Sequence, residues 1–366
     1  MTFKYSLPTK ILFGERCIYE NKDEIISFGK KAFIATGSKS GRLSGALNDI
    51  TNIFDECGIE YYIFDEVENN PDLENVGLAG EKARAFGADF VIGVGGGSPI
   101  DAAKAIAVLA TNEIEPIDLF SNKFKNKPLP ILAVPTTAGT GSEVTHYSVL
   151  TRRDLETKRS FGNVDTFPKL AIMDPTYTMS LNRDVTVDTA IDAFSHGLEA
   201  YLSIRSTPMS DVFAKECIKG FAAALRALQD YNLDYETRSR LLYCSMHGGI
   251  AIAQTGTTMV HALGYSLTYF KNVPHGRANG LFLKEYLRFN YETCKEKIDH
   301  VLSIMGLDNI EEFGIAISRL IKNDFEYSTE ELYKYSDFAM QQRSTSLNAR
   351  EVKKDDLFSI LKNSLS

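Results

Sequence analysis

The sequence has no tryptophan and only five cysteines, at Cys17, Cys57, Cys217, Cys244 and Cys294, with no CxxC pair among them. An odd, dispersed set excludes a disulfide framework and a thiolate metal site, so these thiols are expected to be reduced and mostly buried. Basic runs stop at pairs such as Lys30-Lys31 and Arg152-Arg153, and 40 Lys plus Arg against 48 Asp plus Glu leave a net charge of −8. Binding driven by neutralising nucleic-acid phosphates is thereby excluded. No window approaches the roughly 18 consecutive apolar residues of a membrane-spanning helix. The segment MTFKYSLPTKILFG also lacks the unbroken apolar stretch of a signal peptide. The chain is expected in the cytoplasm, with neither nucleic acid nor membrane as a partner. Internal repeats and low-complexity tracts are missing as well.

What is present is an ordinary globular mixture, 44% hydrophobic and 24% charged over 366 residues, long enough for two domains and a sizeable core. The lysines of SNKFKNKPLP (121–130) read as a solvated loop. In the first half, short β-branched runs at 32–36, 60–64, 90–94, 131–134 and 170–173 alternate with helical windows such as 71–86, where Pro71 suits the first turn and Gly87 the exit. That is the pattern of a parallel sheet covered by helices. Beyond residues 178–182 the spacing becomes helical throughout, as in 210–228, 235–254 and 279–290. The expected architecture is an α/β dinucleotide-binding domain with a Rossmann-like parallel sheet (1–179), followed by an all-helical, metal-binding domain (180–366).

Three loops after strands carry candidate cofactor chemistry. The run FVIGV leads into Gly95-Gly96-Gly97-Ser98-Pro99 and then a helix, so the backbone can approach a ligand and the first helical amides face it, which suits a phosphate. Glycine-rich turns of this kind also occur with nothing bound, and the run is neither G-x-G-x-x-G nor a P-loop. After ILAV, the loop PTTAGTGSE (135–143) gathers hydroxyls at the carboxyl end of another strand, where open α/β sheets bind ligands. Its alternative role is a turn satisfying its own backbone. After AFIAT come Gly37, Ser38 and Lys39. An NAD site usually has an acidic side chain at the adenine ribose, whereas a 2′-phosphate needs room and positive charge, so this loop suits NADP(H) over NAD(H).

In TAIDAFSHGLEAYLS, Asp192 and His196 are four apart in a helical window and rise from one face, so one ion can touch both. His261 and His275 are fourteen apart and would lie about 20 Å from each other on one straight helix. Lys271-Asn272-Val273-Pro274 breaks that helix, so the chain can turn back and present His275 at the start of another. One carboxylate and three imidazoles would hold a divalent first-row metal with a position open for substrate. Alternatively each histidine is an ordinary satisfied residue. His247 and His300 are read as structural and His146 is left unassigned.

The stretches PTKILFG, GGGSPIDAAK, PTTAGTGSEVT, DAFSHGLEAYLS, HALGYSLTYF and NVPHGRANG, in this order, resemble the iron-containing (group III) alcohol dehydrogenase family. The resemblance implies an N-terminal dinucleotide-binding domain, a helical C-terminal domain and an active site between them. It also implies a homodimer or larger assembly, and Fe²⁺, alternatively Zn²⁺, on Asp192, His196, His261 and His275. It places Gly95, Gly96, Gly97, Ser98, Asp101, Thr136, Thr137, Thr140, Ser142 and Lys158 at the cofactor, alongside Gly37, Ser38 and Lys39. Many members have a histidine, implicated in proton transfer, where this chain has Tyr265, so Tyr265 becomes the candidate for ordering the proton path. NAD-using members often carry Asp where this chain has Gly37, which again favours NADP(H). The implied reaction is reversible hydride transfer between NADP(H) and a small alcohol or aldehyde, of butanol or 1,3-propanediol type. Rival readings are a glycerol dehydrogenase-like or maleylacetate reductase-like oxidoreductase and a dehydroquinate synthase-like lyase. The lyase would need a basic cluster beside the metal motifs, which is not seen. A non-catalytic binding protein would have no need of an open metal site.

Overall fold

The computed structural model describes residues 2–365, which form two compact units. One comprises Leu7–Thr137 and Gly141–Leu181; the other comprises residues 182–365 together with residues 2–6 and Ala138–Thr140.

The first unit is built on strands β1 (Lys10–Phe13), β2 (Lys31–Thr36), β3 (Glu60–Phe64), β4 (Phe90–Gly95), β5 (Ile131–Pro135) and β8 (Leu170–Met173), in the order β1-β8-β5-β4-β2-β3. Every pairing among them is parallel. Alternate residues serve opposite faces. Ala32, Ile34, Phe90 and Ile92 pack with Ile50, Ile53 and Phe54 of the Ala46–Cys57 helix. Phe33, Ala35 and Val91 pack with Val76 and Ala79 of the Leu73–Phe86 helix and Ile106 of the Gly97–Thr111 helix. With both faces covered, these strands read as continuous apolar runs. The chain winds outward from β2 to β3, then returns to the other side of β2 to lay down β4. The carboxyl ends of β2 and β4 therefore flank the switch point where such sheets take ligands.

Several elements differ from the sequence expectation. The helix expected from residue 71 starts at Leu73, because Asp72 is its cap and its side chain accepts from the Asn75 amide at 2.9 Å. The edge strand β1 and the antiparallel pair β6 (Ser148–Arg152) and β7 (Thr157–Phe161) were not expected; each is only four or five residues long and mixes polar with apolar positions. The lysines of the 121–130 loop are exposed.

In the second unit the Arg183–Tyr201 helix is buried along almost its whole length, as a helix enclosed on all sides must be. Asn182 starts it by accepting from the Val185 amide. The Pro208–Asp230 helix opens on a reciprocal Thr207–Ser210 capping box with Pro208 in its first turn, and Asp234 caps Tyr235–Thr255. The window 279–290 spans two helices, His275–Gly280 and Leu283–Met305. No helix among the described residues is long and apolar enough to cross a membrane.

Candidate metal and dinucleotide sites

The Met259–Lys271 helix ends with Asn272 in the left-handed region at φ 54°, and the next helix starts at His275. The break after Lys271 thus does what the sequence required and brings His275 back toward His261. Close approach to the Arg183–Tyr201 helix depends on Gly276, where a Cβ would fall 1.8 Å from the Asp188 carbonyl oxygen. Arg277 then clamps Asp188 at 3.0 and 3.3 Å.

The outcome is a convergence of ligand-type atoms. His261 Nε2 lies 2.9 Å from His196 Nε2 and 3.6 Å from Asp192 Oδ1, and His275 Nε2 lies 3.9 Å from the same oxygen. Donor atoms of Asp192, His261 and His275 all fall within 4.8 Å of one another. Asp192, His196 and His261 are buried and His275 is half-buried. A mixed set of one carboxylate oxygen and three imidazole nitrogens fits a borderline divalent ion such as Fe²⁺ or Zn²⁺.

Electrostatics agree. Burial alone would raise the Asp192 carboxyl, but the surrounding histidines hold it well below the usual carboxylate range. His196 is lowered by burial to about 4, whereas His261 is lifted to about 9 because Glu199 and Asp192 outweigh burial. The buried negative charge at this point is what a cation would neutralise.

Two residues of the centre carried no role in the sequence reading. Glu199, one turn beyond His196, is fully buried, and its Oε2 accepts from His261 Nδ1. Its Oε1 accepts from the Thr258 amide and hydroxyl at 2.8 and 2.7 Å and from the Val260 amide at 3.1 Å. One carboxylate therefore caps the helix that carries His261 and fixes that ring with Nε2 toward the cluster. Asn279 donates from Nδ2 to Asp192 Oδ1 at 2.9 Å. Glu199 and Asn279 both sit inside motifs visible in the sequence, but a supporting carboxylate or amide has no spacing signature of its own. Tyr265 stacks on the His275 ring at 5.4 Å between centroids and 16° between planes.

The remaining histidines have ordinary surroundings. His247 Nδ1 pairs with the Tyr243 carbonyl, His300 with the Tyr201 hydroxyl, and His146 packs on Tyr147 and Phe167.

In the α/β unit, the sequence-selected loops gather at one end of neighbouring strands. Gly37, Ser38 and Lys39 follow β2, Gly95 to Ser98 end β4, and Thr136 and Thr137 follow β5. Gly95 has φ +146°, and a Cβ there would meet Pro99 Cγ at 2.6 Å, so the turn requires glycine. The Thr136 amide donates to the Gly95 carbonyl, and Thr136 Oγ1 is buried without a hydrogen-bond partner. Together with the first amides of the Gly97–Thr111 helix, these features fit a pyrophosphate cradle at the switch point. Asn70, in the left-handed region at φ 59°, ties two of the named residues together: its amide donates to Ser98 Oγ, and its Oδ1 accepts from Lys158. Thr140 lies in the 138–140 segment grouped with the helical unit.

Asp101 and Ser142 face inward. Asp101 accepts from the Ser142 hydroxyl and from the Val149 amide, and fully buried Lys104 donates to Ser142 and to the Tyr147 carbonyl. Both hold the loop that carries Thr136 and Thr137. Beside them Glu143 is buried, with Oε1 lacking a hydrogen-bond partner, and burial pushes its carboxyl up from 4.5 to about 7 against the pull of Lys104. A carboxyl whose folded value is raised favours folding while protonated and loses that contribution as pH climbs from about 4.5 to about 7. Glu143→Gln is therefore expected to flatten the fall in stability over that window, read by urea denaturation at pH 5, 6, 7 and 8. Parallel curves for the two proteins would show that Glu143 stays ionised throughout.

The comparisons with known proteins agree with this geometry. The family described as iron-containing alcohol dehydrogenase matches residues 8–175, and its C-terminal counterpart, the Fe-containing alcohol dehydrogenase family, matches residues 186–365. The chain belongs to the iron-containing alcohol dehydrogenase family. It is 33% identical over 332 residues to a 1,3-propanediol dehydrogenase of Klebsiella pneumoniae, covering 87% of this chain and 85% of the relative. An NADPH-dependent butanol dehydrogenase of Clostridium saccharobutylicum is 30% identical over 327 residues, 87% of this chain and 82% of that one. A crystal structure of an iron-containing alcohol dehydrogenase from Thermotoga maritima superposes with TM-score 0.93 at 37% identity, covering 100% of this chain and 99% of that one. The chain is accordingly an oxidoreductase of this family, with iron and a nicotinamide dinucleotide as the cofactors the family implies.

Proposed function

We propose that this protein reduces a small aliphatic aldehyde to its alcohol, reversibly, with NADP(H) as coenzyme and a divalent ion on Asp192, His196, His261 and His275. The observation that carries the reading is the convergence of those four buried or half-buried ligand groups, backed by the carboxylate of Glu199. When bound, the ion supplies Lewis-acid polarisation of the carbonyl oxygen and the reduced nicotinamide supplies the hydride. The chain's own part is placement and water exclusion. Glu199 holds His261 with its Nε2 available as a ligand, and the Gly95 turn with Thr136 and Thr137 seats the pyrophosphate. Tyr265, stacked on a ligand ring, orders the proton path to the alkoxide oxygen. On that role, Tyr265→Phe is expected to alter the pH profile of kcat for aldehyde reduction; superimposable profiles would remove the tyrosine from the path.

The NADP(H) preference rests on Gly37, Ser38 and Lys39 after β2. A Cβ at Gly37 would find Ser40 Oγ and the Val67 carbonyl at 3.6 Å, ordinary contact distances, so a side chain is tolerated there. Gly37→Asp thus places a negative charge beside the 2′-phosphate with little steric disturbance. It is expected to raise KM for NADPH about tenfold or more, roughly 1.4 kcal/mol, while sparing NADH. Equal changes for the two coenzymes would put the 2′-phosphate elsewhere. Relatives named for butanol and 1,3-propanediol support a short, uncharged substrate. A panel of C3 to C5 aldehydes with sulfoacetaldehyde as the anionic member tests the class, and a preference for the sulfonate would reject it.

A further inference from the structure

Asn279 sits where the ligand atoms converge, although neither the ligand set nor the cofactor set includes it. Its side chain is fully buried. Nδ2 lies 2.9 Å from Asp192 Oδ1, 3.2 Å from His261 Nε2 and 3.3 Å from His275 Nε2. One amide nitrogen thus stands against the carboxylate oxygen and both ring nitrogens, and it donates to the carboxylate. The opposite rotamer would set the amide oxygen against the Asp192 carboxylate, so that contact dictates the orientation. Its Oδ1 has no hydrogen-bond partner although it is buried, which is a cost of order 1–3 kcal/mol for an unsatisfied group.

The seat for this amide is built by two helices. Asn279 stands one turn beyond His275 on the His275–Gly280 helix, and Gly264 stands one turn beyond His261 on the Met259–Lys271 helix. A Cβ on Gly264 would fall 2.0 Å from Asn279 Oδ1. An absent methyl group on one ligand helix therefore makes room for the amide carried by the other. An aliphatic side chain at Asn279 would take from the buried Asp192 carboxylate the amide donor that fixes its Oδ1 beside the two rings, and an under-satisfied buried carboxylate is free to turn away.

We propose that Asn279 is a positioning residue of the metal centre: its amide holds Asp192, His261 and His275 converged before the ion arrives, and keeps Asp192 aimed once it has. In the metal-free protein the amide N–H anchors Asp192 Oδ1 beside the two rings. In the loaded protein one N–H remains on the Asp192 carboxylate and selects which oxygen faces the ion. Removing such a supporting hydrogen bond lowers metal affinity by about 10–100-fold in comparable sites. The proposal rests on the reading of Asp192 and the three histidines as ligands.

The test compares the parent with Asn279→Leu, which keeps the branched skeleton and loses the donor, and Asn279→Asp, which replaces the donor with a second carboxylate. Each protein is titrated with Co²⁺ against a chromophoric chelator, and Tm is measured without metal and with saturating Co²⁺. Leu is expected to weaken Co²⁺ binding at least tenfold and to shrink the metal-induced rise in Tm. Asp is expected to lower Tm of the metal-free protein and to enlarge that rise, because the added charge is repelled by Asp192 until a cation enters. A residue serving packing alone would lower Tm equally with and without metal and leave the Co²⁺ constant within twofold of the parent; that result overturns the proposal. Should Leu fail to fold, the Asp variant decides by the same criterion. A parent that binds no Co²⁺ would instead overturn the ligand assignment, and the proposal with it.

Discussion

His261→Ala is expected to lose bound metal and aldehyde reductase activity together, to below one per cent of the parent in each. The imidazole supplies an Nε2 atom 2.9 Å from His196 Nε2 and 3.6 Å from Asp192 Oδ1, so its removal takes a ligand from among the others. It also leaves fully buried Glu199 facing a space where its charged donor stood, and an uncompensated buried charge of this kind costs about 3–5 kcal/mol. The variant should therefore also melt earlier, without metal as well as with it. Metal content by inductively coupled plasma mass spectrometry and Tm by calorimetry read the two effects separately. Full metal occupancy in a folded His261→Ala protein would remove His261 from the ligand set.

The second large effect is expected at a residue that would touch neither the ion nor the substrate. Glu199 receives only donors: His261 Nδ1 on one oxygen, and Thr258 Oγ1 with the Thr258 and Val260 amides on the other. Burial alone would raise this carboxyl, yet His261 and Thr258 hold it below its ordinary value, so it is ionised. In Glu199→Gln the new NH₂ must face either the helix start or the His261 ring. The first choice leaves buried donors opposed, at about 1–3 kcal/mol per unsatisfied group. The second turns the imidazole to its other tautomer and puts a proton on the Nε2 that should bind metal. Either way, metal affinity is expected to fall about 10–100-fold, seen as a raised Fe²⁺ requirement for activity with KM for coenzyme unchanged. A variant with the parent's metal affinity would show that the tautomer of His261 is set elsewhere.

Much of this organisation was legible in the sequence because it is local. The strands at residues 60–64 and 170–173 stand as read, since a doubly covered parallel strand must be a short apolar run bounded by turns. The i, i+4 placement of Asp192 and His196 follows from helix geometry, and the Lys271–Pro274 break follows from proline and left-handed asparagine chemistry. What could not be read was tertiary. That Asp101 and Ser142 turn inward depends on Lys104 being buried beside them, and a lysine in a helix carries no mark of its depth. Glu199 and Asn279 share the same obscurity: their roles arise from what they face, which no spacing within one helix encodes. Strands β1, β6 and β7 escaped because mixed polar and apolar runs of four or five residues gain their strand character from the partners beside them.

On the proposed function, a metal on Asp192, His196, His261 and His275 makes this chain an NADPH-consuming aldehyde reductase. The most direct test is an anaerobic assay of the purified protein reconstituted with Fe²⁺, following NADPH oxidation at 340 nm with butanal, then repeating it with NADH and with chelator. Many turnovers with NADPH, slower ones with NADH and arrest by chelator are predicted. Turnover that persists after the metal has been stripped, or its absence with both coenzymes despite full Fe²⁺ loading and every aldehyde of the panel, would contradict it.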